Sequence, residues 1–201
     1  HYRARRQRQM CIRDSLKDGF KKIENYDNKI IFGHSIGALV AVHGILNNVI
    51  NPDYLILTAP TFQVNYPEFL KKLAKPLSSL APNLRSFSNV TKNNLTNDKD
   101  VVKNYFNDPL VFRSITFRAG YEIIKAQDYV NSNIKNLNIE TLVLHGENDT
   151  ISPIQGSLEL SKLENVKYIK VENSKHEILN QDTRMYALSE IHEWLKIKSL
   201  V

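Results

Sequence analysis

The sequence predicts an α/β architecture: a mostly parallel sheet with helices on both faces. Two patterns predict it. Short continuous runs rich in Ile, Leu and Val alternate with segments of helical spacing, as expected of parallel strands buried on both sides. Residues able to do chemistry follow the carboxyl ends of those runs, where open parallel sheets place their sites.

The elements follow in order. Leu16, Phe20 and Ile23 lie at helical spacing and predict a short amphipathic helix. Tyr26-Asp27-Asn28 is a turn. Lys29-Ile30-Ile31-Phe32 then reads as a buried strand, too short and too β-branched for a helix. Gly33 to Gly37 is a tight turn, and Ala38 to Asn47 reads as a helix stopped by Asn51-Pro52. Tyr54 to Leu57, Thr141 to Leu144 and Val166 to Val171 are three further buried strands. A last helix carries Tyr186, Leu188, Ile191, Trp194 and Leu195 as its apolar stripe. Between residues 61 and 138 the alternation breaks. Pro67, Pro76, Pro82 and Pro109 punctuate short helical pieces, and Asn89 to Asp100 is a polar loop. This stretch reads as a mostly helical insertion between two strands, and no internal repeat is present.

Composition narrows the class. At 201 residues, 42% hydrophobic and 24% charged, the chain fits one domain with an ordinary core. Its longest apolar region, Ile30 to Leu46, is interrupted by His34, Ser35 and His43 and is shorter than the roughly 20 residues a membrane span needs. The single cysteine, Cys11, leaves no internal disulfide, so a reducing compartment is allowed; a cytoplasmic location is the expectation. The net charge is +6, but the first fifteen residues carry +4 of it through five arginines and Asp14. With that arm set aside the rest is nearly balanced, which argues against a nucleic-acid surface. Met10-Cys11-Ile12-Arg13-Asp14-Ser15 resembles the translation of a transposase mosaic-end adaptor used in preparing sequencing libraries. Residues 1–15 are therefore expected to be a non-native segment with no functional weight, Cys11 included, and residues 16–201 a partial domain.

Gly33-His34-Ser35-Ile36-Gly37 matches Gly-x-Ser-x-Gly between an apolar strand and a small-residue helix. A serine nucleophile needs its hydroxyl exposed on such a sharp strand-to-helix turn, and the glycines relieve side-chain collisions there. The helix N-terminus also favours negative charge. A serine hydroxyl further needs a base, and the base an oriented acid. Asp149 follows the strand Thr141 to Leu144, and His176 follows the strand Val166 to Val171 and opens the final helical segment. The order Ser35, Asp149, His176 is the order this kind of turn calls for. Rival residues read as structural: Glu147 as a loop carboxylate, His34 as a packing or hydrogen-bonding group, and His43 as pointing away from the turn. His145 reads as bonding within its loop, and His192 as a surface or partly buried group.

These segments together resemble the monoacylglycerol lipase and lysophospholipase group of α/β-hydrolases, close to the serine-aminopeptidase-like family. Gly33 to Ala38 is similar to the group's Gly-His-Ser-Met-Gly-Gly. Leu144-His145-Gly146-Glu147-Asn148-Asp149 with Pro153 resembles its acid loop, and Lys175 to Asn180 its His-Glu-x-x-Asn segment. Asn107-Asp108-Pro109-Leu110-Val111 resembles a segment of its cap. Ile36, Ala38 and Gln181 depart from the pattern; Gln181 stands where such proteins often carry Glu.

The resemblance implies the α/β-hydrolase fold with a helical cap, catalytic Ser35, Asp149 and His176, and the Ile36 backbone N–H in the oxyanion hole. It also implies strands ahead of Leu16 and a loop giving a second oxyanion donor. Without them, the 201-residue chain is expected to fold poorly or turn over slowly.

No metal or cofactor is implied. The expected substrate is a lipid ester, with transient contact between the cap and a membrane surface. Apolar residues of the insertion, Phe62, Phe69, Leu70, Leu73, Leu77, Phe87, Tyr105, Phe106, Phe112, Phe117 and Tyr121, are candidates for an acyl-chain channel, though most should simply pack. Two other readings stay open: a different esterase or thioesterase on the same scaffold, and a non-catalytic scaffold domain.

Overall fold

The computed structural model describes residues 2–65, 67–87 and 89–201, and the side chains of these apart from 2–11 and Phe87. The side chains of Cys11 and Phe87 therefore lie outside the described residues.

Four parallel strands form the main sheet: β1 (Ile30–His34), β2 (Tyr54–Thr58), β5 (Glu140–Gly146) and β6 (Val166–Val171), in the order β1-β2-β5-β6. The register runs Phe32 beside Ile56, Ile56 beside Leu142, and Leu144 beside Ile169. Successive side chains on a strand point to opposite faces, and the core divides accordingly. Leu55, Leu57 and Val143 pack with α2 (Ile36–Leu46) and Val130 and Ile134. Ile56, Leu142, Leu144, Ile169 and Val171 pack on the other face with Ala187 and Trp194 of α6 (Arg184–Ile197). Burial on both faces explains why β2 and β5 read as unbroken apolar runs.

Several expectations change in detail. β1 is an edge strand, and its Phe32 is 49% exposed rather than buried. α1 runs from Tyr2 to Lys21, so the basic segment is helical and continuous with the predicted short helix. α2 ends at Leu46 with Asn48 in the left-handed region at φ 54°, ahead of the Asn51-Pro52 stop. On α6 the buried positions are Ala187 and Trp194, while Tyr186 and Leu188 are exposed.

The insertion contains α3 (Glu68–Leu80), α4 (Lys99–Asn107) and α5 (Phe117–Asn133). It also contains an unpredicted antiparallel pair, β3 (Arg85–Phe87) with β4 (Ser114–Thr116). Phe62 does not line a cap: it is fully buried in the core cluster that contains the α2 residues. α5 lies against α2 through buried Val130, so it covers the sheet as well as bearing on α3.

Two glycines hold the backbone where the site forms. A Cβ on Gly33 would sit 2.8 Å from Ala38 Cα, and one on Gly146 would strike the Lys175 carbonyl and lie 2.6 Å from the Ser174 carbonyl. Gly37 has no such need, because a Cβ there meets nothing within 4 Å. Gly33→Ala and Gly146→Ala are therefore expected to destabilise the fold by about 1–3 kcal/mol, the usual cost of overpacking, and Gly37→Ala by less. Thermal denaturation of the three variants checks that ranking.

Candidate active site

β1 ends at His34, and the chain turns at once into α2. Ser35 stands at that junction with φ 53° and ψ −121°, a left-handed conformation that costs a non-glycine residue energy and collects at functional sites. Its N–H donates to the Thr58 carbonyl on β2 at 3.0 Å, and its carbonyl accepts from Ala38 and Thr61. The hydroxyl is thereby presented above the carboxyl edge of the sheet.

The loops after β5 and β6 meet it there. His176 Nε2 lies 2.8 Å from Ser35 Oγ, and His176 Nδ1 lies 2.7 Å from Asp149 Oδ2. A carboxylate oxygen only accepts, so Nδ1 carries the proton and Nε2 is free to accept from the Ser35 hydroxyl. The structure thus brings together the three residues singled out from the sequence. The Ile36 N–H opens α2 beside Ser35 and has no hydrogen-bond partner among the described residues. His176 does not open a long helix: a short 3₁₀ turn, Ile178–Asn180, intervenes before α6.

Asp149 is held from several sides. Its Oδ1 accepts the Ile151 and Ser152 N–H groups, each at 2.9 Å. His145 Nε2 approaches Oδ2 at 3.3 Å and donates to the Ser152 carbonyl at 2.8 Å. Burial opposes the charge on Asp149. The bonds from His145 and His176, the nearby His176 charge and the Ser152 N–H outweigh it, and the pKa is lowered to about 2.

A second carboxylate, Glu177, accepts from His34 Nε2 at 3.2 Å and from Asn180 Nδ2 at 2.8 Å. The His34 bond leads and burial opposes it; the pKa falls to about 2. His34 Nδ1 accepts from the Thr58 hydroxyl at 3.0 Å, and its ring stands 5.1 Å from that of His176. The remaining rivals are placed elsewhere. Glu147 pairs with Lys170 at the surface, His43 lies against the Tyr129 ring, and His192 is exposed.

The residues that support these loops belong to no motif of the sequence. The polar stretch after Ser88 is a strap. The Leu95 carbonyl accepts the Glu177 N–H at 3.0 Å, and the Thr96 hydroxyl donates to the Asn180 carbonyl at 2.9 Å. The Asn97 amide donates to the Asn173 carbonyl at 3.1 Å. Gln181, the departure from the group's Glu, is buried and accepts the Lys175 N–H at 3.3 Å. Its Nε2 has no partner among the described residues. Thr61 Oγ1, 3.0 Å from Ser35 Oγ, carries no motif in the sequence either. An Asn- and Thr-rich loop between proline-marked helices was the one local signal for the strap.

The parallel sheet, the left-handed serine turn and the loops gathered at its carboxyl edge are those of an α/β-hydrolase. The chain belongs to the serine aminopeptidase S33 family, whose profile matches residues 11–183. It is 28% identical over 172 residues to the monoglyceride lipase homolog of Monkeypox virus, an alignment covering 82% of this chain and 62% of that protein. The chain thus spans less than two thirds of that relative's length. Its fold superimposes on a monoacylglycerol lipase from Paleococcus ferrophilus with a TM-score of 0.82 at 24% identity, covering 92% of this chain and 74% of that one. A soluble variant of monoglyceride lipase from Saccharomyces cerevisiae gives a TM-score of 0.75 at 16% identity, covering 92% and 67%. Among the described residues no helix is long and apolar enough to cross a membrane, and no three His, Cys, Asp or Glu side chains form a metal-binding group.

The lowered carboxylates fix the sign of the acid response. A carboxyl whose folded pKa lies below its unfolded value stabilises the fold above the unfolded value and loses that contribution as pH falls through the folded one. For Asp149 and Glu177 the unfolded values are 3.8 and 4.5 and the folded ones about 2. Stability is expected to fall from about pH 4.5 towards pH 2, with a shallower slope in Glu177→Gln. Denaturant unfolding across that window checks it; parallel slopes for the two proteins would contradict it.

Proposed function

We propose that the protein hydrolyses carboxylic esters through an acyl-enzyme on Ser35, and that its substrates are lipid esters of the monoacylglycerol or lysophospholipid class. One observation carries the reaction type: the hydrogen-bonded chain from Ser35 Oγ through His176 to Asp149. The 28% identity to a monoglyceride lipase homolog supports the substrate class.

In this mechanism His176 Nε2 takes the Ser35 proton as Oγ attacks the ester carbonyl. The carbonyl π electrons move onto its oxygen, and the Ile36 N–H donates to that oxyanion. Asp149 holds the tautomer with the proton on Nδ1 and stabilises the imidazolium. His176 then passes the proton to the departing alcohol. A water, deprotonated by His176, attacks the acyl carbon; the acid leaves and Ser35 recovers its proton. No step calls for a metal or an organic cofactor.

The cap supports a lipid-facing role. Phe69, Leu70 and Leu73 on α3 are exposed beside Lys71, Lys72 and Lys75, and Leu110 and Phe112 elsewhere in the insertion are exposed too. An apolar helix face flanked by lysines suits transient contact with an anionic membrane surface. A cytoplasmic location fits a chain whose one cysteine leaves no internal disulfide. Within the inserted stretch, about residues 61–138, α3 and the residues around α4 serve as the cap in this reading, while Phe62 and α5 pack on the sheet.

Two experiments test the proposal on the protein expressed from its whole gene. A fluorophosphonate is expected to label the wild type and not Ser35→Ala, and Asp149→Asn to lower kcat by about 10⁴-fold. A folded wild type that resists the probe would give the lead to a non-catalytic scaffold. Comparing long-chain glycerides with short-chain esters and acyl thioesters tests the substrate class, and preference for thioesters would reassign it. In addition, Phe69→Ser with Leu73→Ser is expected to slow hydrolysis of vesicle-borne glyceride several-fold while sparing a short soluble ester. Equal loss on both substrates would contradict the membrane role of α3.

A further inference from the structure

The Ser35 hydroxyl has a second neighbour that the three-residue mechanism leaves unused. Thr61 Oγ1 lies 3.0 Å from Ser35 Oγ and 2.7 Å from Ser152 Oγ. Thr61 is 3% exposed and Ser152 0%, so both residues are almost wholly enclosed by protein.

Counting protons sets the direction of each bond. Asp149 Oδ2 accepts, so the His176 ring proton sits on Nδ1 and Nε2 receives the only Ser35 hydroxyl proton. Ser35 then has none to offer Thr61, and the contact at 3.0 Å is Thr61 donating to Ser35 Oγ. With the Thr61 proton spent, the contact at 2.7 Å is Ser152 donating to Thr61. Ser152 also donates its backbone N–H to Asp149 Oδ1. The five residues Asp149, His176, Ser35, Thr61 and Ser152 thus close a ring. Inside a low-dielectric site such coupled bonds reinforce one another.

The backbone places Thr61 before any substrate arrives. Ala59 at the end of β2 has φ 46°, an unfavoured left-handed value that turns the chain back over the serine turn. The Ala59 N–H donates to the Leu144 carbonyl at 2.9 Å, and the Thr61 N–H donates to the Ser35 carbonyl at 3.2 Å. Gln127 Nε2 on α5 holds the Thr61 carbonyl at 3.0 Å. Thr61 is therefore tied to Ser35 twice, once through backbone and once through the hydroxyl.

We propose that Thr61 is a further catalytic residue, whose hydroxyl, oriented by Ser152, donates to Ser35 Oγ and shares the negative charge that develops there. The inference rests on the reading of Ser35 as nucleophile. As His176 Nε2 takes the Ser35 proton, an Oγ lone pair bonds to the acyl carbon and the second stays engaged by Thr61. In deacylation the bond between Oγ and the acyl carbon breaks. The oxygen leaves with that electron pair and receives its proton from His176, and the Thr61 donor again faces the oxygen that bears charge. A preorganised donor of this kind acts in the transition state more than on bound substrate.

The test uses the protein expressed from its whole gene, with a fluorophosphonate and a short soluble ester as probes. Rates are expressed per site that the probe ultimately labels, so unfolded molecules do not count. Thr61→Val is expected to lower kcat and the labelling rate by about 10- to 100-fold, the range for a lost hydrogen bond to a charged group, with KM within about twofold. Thr61→Ser restores the hydroxyl and is expected to recover most of the rate, while Ser152→Ala gives an intermediate loss.

Wild-type kcat in Thr61→Val overturns the proposal and leaves Ser35 as nucleophile. Equal impairment in Thr61→Ser and Thr61→Val overturns it too, since the hydroxyl is then not what matters. A wild type that the probe does not label, at Ser35 or elsewhere, overturns both readings together.

Discussion

Everything at this site depends on the backbone at Ser35 being held left-handed between β1 and α2. A serine there costs of order 1–3 kcal/mol and persists only if its surroundings over-determine it. They do so from three directions. Gly33 lets α2 approach so closely that even a Cβ would not fit, the Thr58 carbonyl takes the Ser35 N–H, and Thr61 takes the Ser35 carbonyl. Two of those three anchors come from β2 and the residues just beyond it. Parallel pairing of β1 with β2 is thus what makes the turn possible.

The same sheet explains why distant residues converge. β5 and β6 run parallel to β2, so their following loops emerge at the same edge as Ser35. Gly146 allows the β5 loop to lie against the Ser174 and Lys175 carbonyls, which puts Asp149 under His176. The charge on Asp149 survives burial because three groups donate to it, two backbone N–H groups and His176, with His145 Nε2 3.3 Å away. A buried carboxylate without such donors would instead take up a proton. Supplied with them, it remains an acceptor and fixes which nitrogen of His176 faces the serine.

The main strands were legible in the sequence because burial on both faces leaves a local mark, the unbroken apolar run. β6 appears with its expected bounds, and β1, β2 and β5 differ only at their ends. The helical stripes were less legible. Tyr186 and Leu188 are apolar yet exposed, since small Ala187 rather than either large neighbour faces the sheet. β3 and β4 are three residues each and contain Arg and Ser, too short for any alternation to show. Phe62 lies within the inserted stretch by sequence position but belongs to the core by packing. The three motif residues stood out because each sits in a recognisable local setting. Thr61 and Ser152 did not: their contact spans 91 positions, and nothing in either neighbourhood announces the other. The position of His145 at a strand end marks it as a loop partner, yet its bearing on the Asp149 charge appears only once the loop is folded.

The proposed mechanism requires that Ser35 carry the acyl group during turnover. Rapid acid quenching during hydrolysis of a slow ester, followed by proteolysis and mass spectrometry, addresses it directly. An acyl mass is expected on the peptide containing Ser35, forming and decaying at rates that match turnover. Product released with no acyl group on Ser35, or an acyl group carried competently by another residue, would contradict it.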